Sequence, residues 1–138
     1  MILSVDIYVA VNNNSYAYIY VCRDRVVYNS ISDNVNDQVI LDIENTELYG
    51  IIKSLQKLDG ISHRVNIYTT NEAIITKVNK LSMIVKDGTT LYSNLWVDLH
   101  MMMKLHQVNF HYIDADNAYI NEALRQATMI ETRKNNLN

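Results

Sequence analysis

The stretch from Asp42 to Thr70, DIENTELYGIIKSLQKLDGISHRVNIYTT, constrains the fold more than any other. Leu48, Ile51, Ile52, Leu55 and Leu58 recur at helical spacing and make one apolar stripe. Asp42 reads as the N-cap, and Gly60 follows the last apolar residue as a helix stop does. Val65 to Thr69 then reads as a buried strand. Glu47 stands at the edge of the stripe, one residue before Leu48.

The rest of the chain builds around this unit. Residues 2–11 alternate, with Leu3, Val5, Ile7, Val9 and Val11 on one face and Asp6, Tyr8 and Ala10 on the other. Asn12 to Ser15 is a turn. Residues 16–22, YAYIYVC, form a second strand, Arg23 to Arg25 a polar turn, and Val26 to Ile31 a third strand. Three strands with short links give an antiparallel meander. Ser32 to Gln38 is a polar loop.

A second helix is expected over Asn71 to Leu81, with Ile74, Ile75 and Val78 inward, and Asp87-Gly88 marks a turn. Ser93 caps a third helix running to His106, whose apolar face is Leu95, Trp96, Leu99, Met102 and Met103. Gln107 to Ile113 is a fifth strand. Ala118 to Ile130 is the last helix, with Ile120, Ala123, Leu124 and Ala127 inward. The polar stretch 131–138 is expected to fray. The order β-β-β-α-β-α-α-β-α predicts one α/β domain over residues 1–130. Its mixed five-stranded sheet joins the meander to two parallel strands, with helices on both faces.

Composition narrows the class. With 138 residues, 49% hydrophobic and 20% charged, the chain has the size and make-up of one folded domain. No apolar run approaches the ~20 residues of a membrane span. The N-terminus alternates like a strand and lacks the basic start of a signal peptide. Cys22 is the one cysteine, so no internal disulfide forms, which fits the cytoplasm or another reducing compartment. A net charge of −3 argues against a dedicated nucleic-acid binder. Heavy use of Asn, Ile and Tyr without any Pro fits an AT-rich genome, as in some viruses.

Four segments carry a resemblance to the ribonuclease H family: Thr46-Glu47-Leu48, Ile67-Tyr68-Thr69, Asn94-Leu95-Trp96 and Asn117 to Leu124 (NAYINEAL). They look like the start of that family's first helix, its fourth strand, the helix before its last strand, and its final helix. In active members four carboxylates bind two divalent metals that drive phosphodiester hydrolysis. Hard cations need oxygen ligands, and two ions clamp the attacking and leaving oxygens.

Carried over position by position, the first-strand aspartate matches Ala10, the first-helix glutamate Glu47, the aspartate after the fourth strand Thr70, and the final-helix aspartate Asn121. The flexible-loop histidine falls near Asp116. One ligand of four remains. The family's phosphate-contacting Thr-Asn-Asn matches Asp42, Ile43 and Glu44, two of them acids that repel phosphate. The resemblance therefore implies a pseudoenzyme, a non-catalytic domain kept for its surface, without metal or other cofactor. Its partner would be a replication, transcription or assembly protein, or a second copy.

Two alternatives come from the residues. Lys53, Lys57, Lys77 and Lys80 on the first two helices would let the domain bind an RNA–DNA hybrid or duplex without cutting it. A site rebuilt from Glu47, Glu72, Asp114 and Asp116 would hold magnesium or manganese. Asp6 lies roughly 13 Å along the strand from Ala10, too far to share an ion. Tyr16, Tyr18 and Tyr20 point to one face of the second strand, as a sheet face under a helix or, if exposed, an interface. Met101 marks a second interface candidate, since Met repacks readily. His63, His100, His106 and His111 are scattered and do not suggest a zinc site.

Overall fold

The computed structural model describes residues 3–22, 25–27, 43–58, 62–81 and 93–136. The expected Asp42 cap, Gly60 stop, 32–38 loop and Asp87-Gly88 turn lie outside these residues. The chain opens with a hairpin, β1 (Leu3–Asn12) and β2 (Ser15–Cys22), paired antiparallel from Asp6↔Val21 to Asn12↔Ser15. Asn13 turns it with φ 55, a left-handed conformation that asparagine tolerates and hairpin turns require. β3 (Arg25–Val27) pairs antiparallel with β2. Helix α1 (Ile43–Gln56) crosses over to β4 (His63–Thr69), which lies parallel to β1 from Leu3↔His63 to Tyr8↔Tyr68. Helices α2 (Glu72–Val78) and α3 (Ser93–Leu105) lead to β5 (Gln107–Tyr112), parallel to β4, and α4 (Ala118–Asn136) is the last described element. The sheet has the order β3-β2-β1-β4-β5.

Alternation assigns each face its helices. Val5, Ile7 and Val9 of β1, the tyrosines of β2, and Val65 and Ile67 of β4 meet α1 and α3 in the main core. Leu48, Ile51 and Leu55 are fully buried there, each stabilising the fold by about 1.5–3 kcal/mol relative to exposure. Gly50 sets the approach of α1. A Cβ at that position would stand 3.0 Å from Cδ2 of Tyr16, tighter than ordinary contact, so any larger residue would require the Tyr16 ring or the helix to give way. On the opposite face, Ala10 and Ile19 pack under Ala123 of α4.

The β2 tyrosines form the expected sheet face under a helix, and two expectations are corrected: their alternative as an exposed interface, and the frayed polar end. Tyr16, Tyr18 and Tyr20 are only 2%, 0% and 7% exposed. They lie under α1, where Tyr20 donates to the Ser54 carbonyl at 2.5 Å. Such a stripe has no surface to offer a partner or a base. The polar end of the chain is not frayed between 131 and 136, because α4 continues to Asn136. Glu131 is buried and accepts hydrogen bonds from Ser15 Oγ (2.7 Å) and Asn13 Nδ2 (2.9 Å), pinning the helix to the β1–β2 turn.

Candidate functional site

Parallel β1 and β4 end side by side, and their C-terminal ends open onto a cleft of about 680 Å³. Glu47 from α1 forms its floor; Val11, Thr70, Tyr112 and the start of α2 (Asn71, Glu72, Ala73) line it. Local sequence builds this rim. Asn71 caps α2 by accepting from the Ala73 amide at 3.0 Å, so the strand must turn directly into the helix. The Asn71 amide in turn donates to Thr69 Oγ1 at 2.9 Å.

The Thr69 hydroxyl donates to Glu47 Oε1 at 2.5 Å. Glu47 is 3% exposed. Burial pushes its carboxyl above the ordinary range, and the hydrogen bonds from Thr69 and Asn71 oppose that shift.

The four positions matched to the family's metal ligands do not all meet. Glu47 and Thr70 share the cleft. Ala10 lies two residues beyond the Tyr8↔Tyr68 pair but packs under α4 with Ile19 and Ala123. Asn121 is exposed on α4, beside a separate groove of about 520 Å³ with Leu124, Arg125 and Thr128. Asp6 is occupied elsewhere, accepting from Asn66 Nδ2 at 3.0 Å.

The acids proposed for a rebuilt site gather more loosely. Glu72 lines the cleft. The Tyr112 hydroxyl donates to Asp114 at 3.1 Å. That bond raises the pKa of the Tyr112 phenol, and the charges of Glu72 and Asp116 add to the rise. Among the described residues no group of three His, Cys, Asp or Glu side chains is placed to hold a metal ion. Two divalent ions need several ionised oxygens at one point. Here one carboxylate is buried, neutral-leaning and committed to Thr69, and the other cleft carboxylate is exposed, so the residues present do not fit that pair.

The remaining candidates are dispersed. Lys77 pairs with Glu44 at 2.5 Å, and Lys53 Nζ stands 5.2 Å from the Tyr49 ring centroid. Lys57 and Lys80 are exposed. Met101 is 52% exposed, between exposed Val97 and Leu105 one helical turn to either side on α3. His63 and His106 meet, ring centroids 5.3 Å apart, and the His63 amide donates to His106 Nδ1 at 3.0 Å. His111 lies apart, stacked on Tyr68. No helix among the described residues is long and apolar enough to cross a membrane.

The sequence matches no protein-family model and no curated protein. Solved structures do match. LC9-RNase H1, a type 1 RNase H with the type 2 active-site motif, superposes with a TM-score of 0.73 at 13% identity, covering 94% of this chain and 72% of its own. The fold is RNase H-like. The RNase H domain of the foamy virus PFV gives 0.66 at 11% identity, covering 94% of both chains. The N-terminal RNase H domain of rv2228c from Mycobacterium tuberculosis gives 0.63 at 16%, covering 96% of this chain and 98% of its own. The RNase H-like order was legible in the sequence. Sequence reasoning missed Asn71 and Tyr112 as cleft residues and Thr69 as the buried partner of Glu47. The run Thr69-Thr70-Asn71 between a strand and a helix start was the available signal.

Proposed function

We propose that this is a non-catalytic RNase H-like domain acting as a protein-interaction or structural module. One observation carries the reading. Glu47, the one acid matching the family's ligand set, is buried and held by Thr69, with a carboxyl shifted toward its neutral form. A metal ligand must be ionised, so such a carboxyl gives up affinity before any ion arrives. Thr70 offers a neutral hydroxyl at the second matched position, and Ala10 offers no donor at all. The exposed Val97, Met101 and Leu105 of α3 supply apolar surface of the kind that partner contacts bury. A partner in a viral replication, transcription or assembly complex fits this reading, as does a second copy of the chain.

The test is cleavage of an RNA–DNA hybrid in magnesium or manganese by the wild-type chain and by Glu47→Gln. No cleavage by either protein supports the proposal. Cleavage that Glu47→Gln abolishes overturns it.

A further inference from the structure

Helix α4 packs on β1 and β2, while the β4–β5 half of the same sheet face keeps its described side chains exposed or half-buried. Alternation puts Arg64, Asn66 and Tyr68 of β4 and Gln107, Asn109 and His111 of β5 on this open half. Arg64, Gln107, Asn109 and His111 are exposed, and Asn66 and Tyr68 are half-buried.

A row of rings crosses this face. Tyr119 of α4 packs on Tyr8 (centroids 4.9 Å), Tyr8 stacks on Tyr68 (4.7 Å, 11°), and Tyr68 stacks on His111 (5.0 Å, 24°). The register places Tyr8, Tyr68 and His111 directly opposite one another on three adjacent strands. β5 ends the described sheet. The pile of rings therefore finishes at an exposed imidazole, with one face on Tyr68 and the other toward the open edge.

A polar relay holds that last ring. Asn66 Nδ2 donates to Asp6, which turns Asn66 Oδ1 toward His111 Nε2 at 2.9 Å. His111 Nε2 must then carry the donated proton. The stacking on Tyr68 and this hydrogen bond together orient the imidazole.

We propose that this open half-face binds a single-stranded nucleic acid, with one base extending the ring pile at His111. Stacking accepts any base, because every base has a π-face. The side chains of Gln107 and Asn109 make no hydrogen bond to other described residues, and their amides suit base edges. Arg64 is the exposed charge of the face and is complementary to phosphate, while the Asp6 carboxylate is half-buried and tied to Asn66. The half-face has no aliphatic side chain, whereas the centre of a stable protein interface is more apolar. The inference is independent of the cleft, which opens on the other side of β4.

The test is fluorescence anisotropy of a fluorescein-labelled oligonucleotide of about 12 nucleotides, single-stranded and duplex, at about 20 mM salt and upward. Binding of the single strand in preference to the duplex is expected. Tyr68→Ala and His111→Ala should each weaken it about 10-fold, and Tyr68→Phe, which keeps the ring, should bind as wild type. One arginine contact predicts a shallow salt slope, near −0.7 in log K against log salt, whereas four lysines would give roughly −2.8. Thermal melts of each variant establish that it folds, and Arg64→Gln serves as a second, ring-preserving variant. No binding at low salt overturns the proposal. So does binding that survives His111→Ala and Arg64→Gln, or that is lost on substituting Lys57 and Lys80. Sedimentation showing self-association that His111→Ala abolishes would assign the face to a protein and equally overturn it.

Discussion

Thr69→Val isolates the contact on which the cleft depends. Thr69 is fully buried, and valine nearly matches its shape, so no cavity opens. What disappears is one hydroxyl with two bonds: a donation to Glu47 Oε1 at 2.5 Å and an acceptance from the Asn71 amide at 2.9 Å. A buried carboxyl losing its donor costs about 1–3 kcal/mol, and the part-buried amide about 1 more, for a total of about 2–4 kcal/mol.

Urea denaturation reads this directly. With a slope of about 2 kcal/mol per molar, the midpoint should fall by about 1–2 M while the slope stays constant. The loss should also depend on pH. Burial raises the Glu47 carboxyl above its ordinary 4.5, so its contribution is fully present below that value and is lost as pH rises through the folded value. The Thr69 hydroxyl bonds the ionised form and limits that loss. Thr69→Val should therefore cost more near pH 8 than near pH 4. The exposed neighbour Thr70→Val should stay within about 0.5 kcal/mol of wild type. A Thr69→Val loss below about 0.5 kcal/mol at both pH values would refute the reasoning.

Other outcomes follow from separate parts of the fold. Glu131→Ala strips Ser15 and Asn13 of their shared acceptor and should lower stability by about 1–3 kcal/mol in thermal melts, with truncation before residue 131 costing at least as much. Burial, with His63 beside it, holds His106 below its ordinary 6.5, so its neutral form stabilises the fold. Stability should fall as pH drops from about 6.5, and His106→Gln should flatten that fall in urea midpoints taken across the range. Leu55→Ala in the fully buried stripe of α1 should cost about 2–5 kcal/mol in the same assay.

How much was legible depends on whether the signal is local. The stripe of α1 and the alternation of β1 and β2 are short-range patterns, and both appear where the sequence placed them. The end of α4 was missed because its criterion was an apolar period. The spacing Ile120, Ala123, Ala127 continues to residue 131, where a glutamate occupies the inward position. A polar residue in a core stripe looks like the end of a helix until its partners, more than a hundred residues away, are known.

The same limit governs the candidate site. Glu47 was recognisable by its place before Leu48, but its hydrogen-bond partner Thr69 lies 22 residues away on another element. The relay Asp6–Asn66–His111 and the row Tyr8–Tyr68–His111 come from strand register, which joins residues about 60 and 45 apart in the chain. Alternation predicted the tyrosine stripe of β2, yet only the packing of α1 decides that it is covered.

Manganese binding followed by electron paramagnetic resonance, with and without an RNA–DNA hybrid, tests the central claim most directly. The account predicts no saturable pair of ions in the cleft, and no difference between wild type and Glu47→Gln. Two bound ions, with at least one lost in Glu47→Gln, would contradict it.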